Sequence, residues 1–323
     1  MTSDPGHAPP WPRGASEAGP RAGRPATTTP EGLYLWSASG LHRSTEEAGT
    51  RLLAADSWLV SEGRARTLDR HRDRFLDACR ASRRGTAEAD EDIAFFWTAA
   101  ITQIPRGGSW FPRTELVDLA GHRRLQVRIR PAPPLGTGVR VWGAPVPDPR
   151  TRPRVKGPDL DRLADLRRTA GGQGADEVAL TTRSGLVVEA TTSSICWWEG
   201  DALCVPDPRF RVLPGITIGL VLERARRIGL EIRPSRRRVE ELAGREVWLL
   251  NALHGIRPVT SWVGTTLEAG PALRSEQWQR WLTSLVQALP TSRAQDVCGD
   301  PTRKGDARPA DGPKSSAADG PSR

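Results

Sequence analysis

Lysine is nearly absent from this chain. Of its 47 basic residues only Lys156, Lys304 and Lys314 are lysines, which leaves 44 arginines and one lysine, Lys156, away from the C-terminal stretch. The scarcity matters because Arg stays charged at any ordinary pH, whereas a Lys in an apolar site can lose its proton and act as a nucleophile or base. An Arg-biased composition that left one lysine on the surface accounts for the same count, so composition alone holds both readings open. Cysteine is also sparse: Cys79, Cys196, Cys204 and Cys298 form no CxxC pair, and no His stands at ligand spacing from them. That argues against a metal site or a disulfide framework and for reduced, buried thiols. No stretch approaches the roughly 18 consecutive apolar residues of a membrane helix, and residues 1–14 lack the apolar centre of a signal peptide. The expectation is a soluble, cytoplasmic protein with no membrane partner. Tyrosine is reduced to Tyr34 against twelve tryptophans. Trp197, Trp198 and Trp248 fall inside strand-like runs, which favours core packing over a base-stacking surface.

The net charge of +9 does not form one basic arm, since acids such as Glu240-Glu241 follow Arg236-Arg237-Arg238. This is a solvated Arg-rich surface and not a nucleic-acid interface. At 323 residues the chain is long enough for two ordinary domains. Residues 1–30 and 290–323, rich in Pro, Gly, Ser and small residues, cannot bury enough apolar surface to offset ordering and are expected to be disordered tails. Between them, Pro147, Pro149 and Pro153 favour extended chain and mark a linker at 146–154, dividing a small α/β domain (31–145) from a larger domain (155–289). Periodicity and stop residues predict helices over 69–82, 88–102, 160–170, 216–228 and 275–289. Strands are expected near 58–60, 114–119, 125–129, 138–142, 177–182, 186–189, 195–198, 202–205 and 247–250.

Four pieces of the sequence can serve one chemistry. Lys156 offers an amine. Glu189 closes the strand-like run Leu186-Val187-Val188-Glu189 before the polar turn Thr191-Thr192-Ser193-Ser194, where a carboxylate either projects into a cleft or is solvated in a hairpin. Leu213-Pro214-Gly215-Ile216-Thr217 opens a helix, whose free N–H groups and dipole favour an anion. His71-Arg72-Asp73-Arg74 adds guanidinium groups able to take a phosphate, although such a run is also an ordinary surface cluster. An amine, an acid for a ring nitrogen and an anion site are what pyridoxal phosphate requires of a protein.

Lys156, the runs Gly174-Ala175-Asp176-Glu177-Val178-Ala179-Leu180, Val188 to Ser194 and Leu213 to Thr217, and Asn251-Ala252-Leu253-His254-Gly255-Ile256-Arg257-Pro258-Val259 together resemble the class IV aminotransferases. These are fold-type IV pyridoxal-phosphate enzymes, which include branched-chain and D-amino-acid aminotransferases and 4-amino-4-deoxychorismate lyase. The resemblance spans about 57–262 and is strongest after Lys156. It implies a two-domain α/β (α+β) fold, pyridoxal 5'-phosphate as cofactor, a small-molecule amino substrate and a homodimer. Residue by residue, it implies that Lys156 is the Schiff-base lysine and that Glu189 pairs with the pyridine nitrogen. Arg74, Ile216 and Thr217 would hold the phosphate, and Asn251 and Ala252 would form a loop closing over phosphate and substrate carboxylate. His254 and Arg257 follow where they could meet an acidic substrate.

The chain departs from the family at several points. Ala54-Ala55-Asp56-Ser57 replaces the glycine-rich Gly-Asp-Gly strand, Ile218 stands where Arg is common, and Ser194 where Asn is usual. Tyr34 is too near the front of the chain to serve as the tyrosine that contacts the cofactor ring in several members. Substrate specificity therefore does not transfer. Transamination is the first reading and elimination, as in aminodeoxychorismate lyase, the second, since Asn251-Ala252-Leu253 resembles the lyase loop. A relative that kept the fold and lost the chemistry is the third.

Overall fold

The computed structural model describes residues 30–82 and 90–291. The expected disordered tails, apart from residues 30, 290 and 291, lie outside the described residues, as does Cys298.

The first half contains β1 (Gly32–Ser37), β2 (Gly40–Ser44), β3 (Arg51–Ser57), β4 (Val60–Ser61), β5 (Arg64–Arg66), α1 (Leu68–Ala81), α2 (Asp90–Gln103), β6 (Ser109–Trp110), β7 (Arg113–Leu119) and β8 (His122–Ile129). Five of these strands make an antiparallel sheet in the order β2-β1-β8-β7-β3. Leu125, Val127 and Ile129 of β8 alternate onto one face of it, where they meet the helices. α1 buries His71, Phe75, Ala78 and Cys79, and α2 buries Ile93, Phe96, Trp97, Ala100 and Ile101, each a single helical stripe. The charged residues of α1 are left on its outer side, except those that turn toward the second half.

The second half contains β9 (Val139–Pro147), α3 (Leu160–Gly171), β10 (Glu177–Thr181), β11 (Val187–Ala190), β12 (Ser194–Glu199), β13 (Ala202–Pro206), α4 (Ile216–Arg227), β14 (Ile232–Ser235), β15 (Val247–Asn251), β16 (Gly255–Val263), α5 (Ser275–Ser284) and β17 (Val286–Ala288). Eight of the strands form one mixed sheet, β11-β10-β9-β16-β15-β12-β13-β14. Two of its parallel pairs, β9 with β10 and β13 with β14, are joined through α3 and α4, the crossovers such pairs require. Trp198, Trp248 and Trp278 pack edge to face or tilted in a core with Leu220, Val221 and Leu282, so these tryptophans are interior residues.

Three sequence expectations need correction. The strand expected at 138–142 in the first domain extends to Pro147 and pairs with β10 and β16 of the large sheet, so the chain changes sheets at 130–138, ahead of the prolines. Apolar alternation at Val139 and Val141 identifies a strand but not its neighbours. The last helix stops at Ser284, and Val286–Ala288 returns to pair with β5, while Leu289 N donates to Gly63 O at 2.8 Å and Leu289 joins the first core. Tertiary pairing overrode a helical spacing that continued past 284. β1, β2, β3, β5, β6, β14 and β16 are strands that the periodicity did not single out, and Trp58 and Leu59 of the strand expected near 58–60 lie between β3 and β4.

Candidate active site

Lys156 lies between β9 and α3, on the seam between the two halves. Its carbonyl accepts a 2.8 Å hydrogen bond from Ala55 N in β3. Gly157 next to it has φ +134, and a Cβ there would come within 2.9 Å of the Ala54 backbone. Only glycine allows this close approach of two backbones. The lysine side chain borders a cavity of about 720 Å³ and a neighbouring one of about 110 Å³. Burial first, then the charge of Arg74, pulls its amine down to about 8, with Asp56 opposing and Arg113 and Arg130 adding to the fall. An ordinary lysine would be almost wholly protonated at neutral pH; this one keeps a reactive neutral fraction.

Arg74, Glu189, Gly215 and Ile216 border the same two cavities. α4 begins at Ile216, and the first N–H groups of a helix have no partner within it. Thr217, buried in that first turn, borders the smaller cavity, and its hydroxyl has no protein partner among the described residues. A Cβ on Gly215 would lie 2.5 Å from Ser194 Oγ, so a side chain here would displace the serine hydroxyl that lies against the turn. Arg74 Nη1 donates to Pro214 O at 3.3 Å, which places the guanidinium over the same turn. Free N–H groups, a hydroxyl and an Arg fit a phosphate.

Arg74 is aimed by Asp56, which sequence reasoning noted only as part of a departure. The Asp56 carboxylate accepts from Arg74 Nε at 2.7 Å and Nη2 at 2.9 Å and from His71 Nδ1 at 2.7 Å, and is fully buried. Burial opposes its ionisation, but Arg74 and His71 more than offset this and hold the carboxyl well below the usual range. Across the cavity, Arg70 on α1 makes a two-pronged pair with Glu223 on α4, at 2.6 and 2.9 Å.

Glu189 is buried at the end of β11. Its Oε2 accepts from Arg150 Nη1 at 2.6 Å and from Leu213 N at 3.0 Å, while Oε1 has no protein partner among the described residues. Burial raises its proton affinity, and the Arg150 charge works against that rise. Arg150 lies in the segment expected to be a linker, where the sequence offered only an Asp-x-Arg spacing between prolines.

Asn251 and Ala252 border the smaller cavity. Asn251 Oδ1 accepts from Leu253 N and His254 N, its Nδ2 donates to Ser193 Oγ, and Arg66 Nη2 donates to Ala252 O at 3.2 Å. The loop is therefore pinned to the Thr191–Ser194 turn. Glu177, buried and given no role of its own by the sequence, holds that turn through Thr191 Oγ1, Thr192 N and Oγ1, and Ser193 Oγ.

His254 and Arg257 are not brought to either cavity, against the expectation that they meet substrate. Arg257 is buried and its Nη2 donates to Glu177 Oε1 at 3.1 Å, which makes it part of the scaffold beneath the turn. His254 Nδ1 accepts from Gly136 N, and burial, with Arg257 nearby, lowers its pKa to about 4. Tyr34 is in the first core with its hydroxyl on Pro30 O, away from both cavities.

The profile of the family described as Amino-transferase class IV matches residues 53–262. The aminodeoxychorismate lyase of Bacillus subtilis (strain 168) is 30% identical over 95 residues, 29% of this chain and 32% of that protein, so the match spans about a third of that relative. Among solved structures, a fold IV-transaminase from Curtobacterium pusillum superposes with a TM-score of 0.64 at 17% identity, covering 79% of this chain and 98% of that one. A hypothetical aminotransferase from Mycobacterium tuberculosis in its PLP-bound form gives 0.61 at 17% identity, covering 78% and 97%. At these identities the two structures show that the fold is shared.

Proposed function

Because the chain belongs to the amino-transferase class IV family, its profile match covering more than half of the sequence, we propose that it binds pyridoxal 5'-phosphate and acts on the amine of an amino-acid-type substrate. The observation that carries this reading is the convergence of Lys156, Glu189, Arg74 and the open end of α4 on one cavity. The bound cofactor supplies an aldehyde and an electron-accepting ring. Arg74, the Ile216 and Thr217 N–H groups and the Thr217 hydroxyl would hold its phosphate. Glu189 Oε1, which has no protein partner among the described residues, would accept from the ring nitrogen and favour a proton there. Lys156 Nζ would be the amine that holds the cofactor's aldehyde, and an amine lowered to about 8 would also be suited to accept and return a proton at the substrate carbon near neutral pH. Asn251 and Ala252, which border the smaller cavity with Lys156, would limit the substrate.

Amino transfer, in which Lys156 would return the proton and no group would be lost from the substrate, is the first reading. Loss of a leaving group next to the reacting carbon gives a lyase, a reading favoured by the similarity to aminodeoxychorismate lyase. We further propose a homodimer working in the cytoplasm on a small-molecule amino substrate, with no nucleic acid or membrane involved. Among the described residues no helix is long and apolar enough to cross a membrane.

The test begins with the colour of the purified chain after incubation with pyridoxal 5'-phosphate. A visible band that survives gel filtration, is fixed by borohydride and is lost in Lys156→Ala supports the reading; a chain that stays colourless overturns it in favour of a non-catalytic relative. Aminodeoxychorismate is then supplied and 4-aminobenzoate and pyruvate measured, alongside amino acids paired with 2-oxo acids. Pyruvate without amino exchange would replace the transaminase reading with the lyase. Light scattering at working concentration decides between monomer and dimer.

A further inference from the structure

We propose that Arg150, held in place by Asp148, is a positioning residue that keeps Glu189 an anion and turns one of its oxygens away from the cavity, so that the other is offered to a protonated ring nitrogen. The inference rests on the proposed cofactor chemistry and adds a residue to it.

The geometry is specific. Arg150 Nε donates to both Asp148 oxygens at 2.9 and 3.1 Å, Nη2 donates to Asp148 Oδ2 at 2.7 Å, and Arg150 N donates to Asp148 Oδ1 at 3.0 Å. One edge of the guanidinium is thus fully committed to Asp148, and the remaining Nη1 points at Glu189 Oε2. The side chains of Arg150 and Glu189 are 7% and 5% exposed, so solvent screens this contact little. Leu213 N reaches the same oxygen from the loop before α4.

The groups facing the Glu189 carboxylate are therefore Arg150 and, behind it, Asp148 from one segment, and a backbone N–H from the other. Among the described residues no second cation is hydrogen-bonded to the acid, although Arg74 and Lys156 border the same cavities. A carboxyl buried among Val187, Val188 and Ala190 would take up a proton without such a cation, since burial disfavours the charged form. A neutral Glu189 could not retain a proton on a ring nitrogen, because it would itself carry the proton that the pair shares. Arg150 also borders the smaller cavity, and its side chain is nearly unexposed there.

The experiment uses the full chain and the variants Arg150→Met, Arg150→Lys and Asp148→Asn. Glutamate-labelled infrared difference spectra of the cofactor-free protein, assigned with Glu189→Gln, report whether Glu189 is a carboxylate at neutral pH. We expect a carboxylate in the wild type, a protonated carboxyl in Arg150→Met and recovery of the carboxylate in Arg150→Lys. Asp148→Asn, which keeps the cation but frees it to move, is expected to retain the carboxylate and to bind less tightly. After loading with pyridoxal 5'-phosphate, Arg150→Met should shift the pH midpoint of the visible band and bind about tenfold more weakly, the size expected for losing one charge-assisted hydrogen bond. Far-ultraviolet circular dichroism separates these effects from misfolding. If Arg150→Met folds, its Glu189 remains a carboxylate and the band titrates as in the wild type, the inference is wrong even though the cofactor reading stands. A wild type that takes up no cofactor removes that reading instead, and leaves the infrared result to judge Arg150 on its own.

Discussion

Replacing Lys156 by methionine should make the cofactor-free chain more stable at neutral pH, and less so as the pH rises. Folding brings the amine from its ordinary value of 10.5 to about 8, with burial the largest cause. The folded chain therefore binds fewer protons than the unfolded chain between these values, and its stability climbs with pH through that window. Below about pH 8 the full penalty applies, and converting the difference at 1.36 kcal/mol per tenfold gives about 3 kcal/mol. Because the amine faces a water-accessible cavity, we expect about 1–3 kcal/mol in practice, with methionine matching the lysine stem in size. Urea unfolding of the wild type and Lys156→Met, followed from about pH 7 to about pH 11, measures the difference at each step and cancels the other titrating groups. The variant's advantage should be largest at the low end and fall away above the ordinary lysine value. A variant that is less stable throughout, or an advantage that does not change with pH, would show that the amine is not strained in the folded state and would remove the physical basis for its reactivity.

Other substitutions probe the supporting residues. Asp56→Asn leaves Arg74 and His71 facing a neutral group and should cost about 3 kcal/mol near neutral pH. Since the Asp56 carboxyl is depressed on folding, its contribution is present above about pH 4 and is lost on further acidification, so wild type and variant should converge in acid unfolding curves. Gly157→Ala forces a Cβ into the Ala54 backbone at a positive φ and should lower stability by about 2 kcal/mol or more in thermal unfolding, or prevent folding. Thr217→Val keeps the shape and removes a hydroxyl, and should weaken pyridoxal 5'-phosphate binding by about fivefold to tenfold in a spectroscopic titration with little change in stability. Arg257→Met should lose about 3 kcal/mol of stability by leaving Glu177 short of its cation, while the cofactor affinity of the folded fraction stays unchanged.

The family and the fold were legible in the sequence, as was a lysine that the structure sets beside the cavity, and each for a different physical reason. Lys156 stood out because the composition is otherwise Arg; the helix start at Gly215-Ile216-Thr217 stood out because Pro and Gly punctuate it. Residues that act on other residues did not stand out. Asp56 touches neither cavity and matters only because α1 folds back to bring His71 and Arg74 onto it. Arg150 and Glu189 are 39 positions apart and meet across β9, β10 and β11, a contact that no local spacing reports. His254 and Arg257 illustrate the converse error. Charged side chains near a binding loop suggested substrate contacts, yet their hydrogen bonds run beneath the loop, to Gly136 and Glu177.

The 2.8 Å bond from Ala55 N to Lys156 O has a mechanical meaning beyond its energy. It stitches the lysine to the edge of the first sheet, although the chain around it leads from β9 into α3 of the second half. Lys156 is therefore fastened to both halves, by this bond to β3 and by the backbone that joins β9 to α3, as Arg74 is by Asp56 on one side and Pro214 O on the other. With the Arg70–Glu223 pair, these links bolt the seam shut around the cavity, so the position of the amine relative to the acid and the helix end is set by the joint between the halves and not by either half alone.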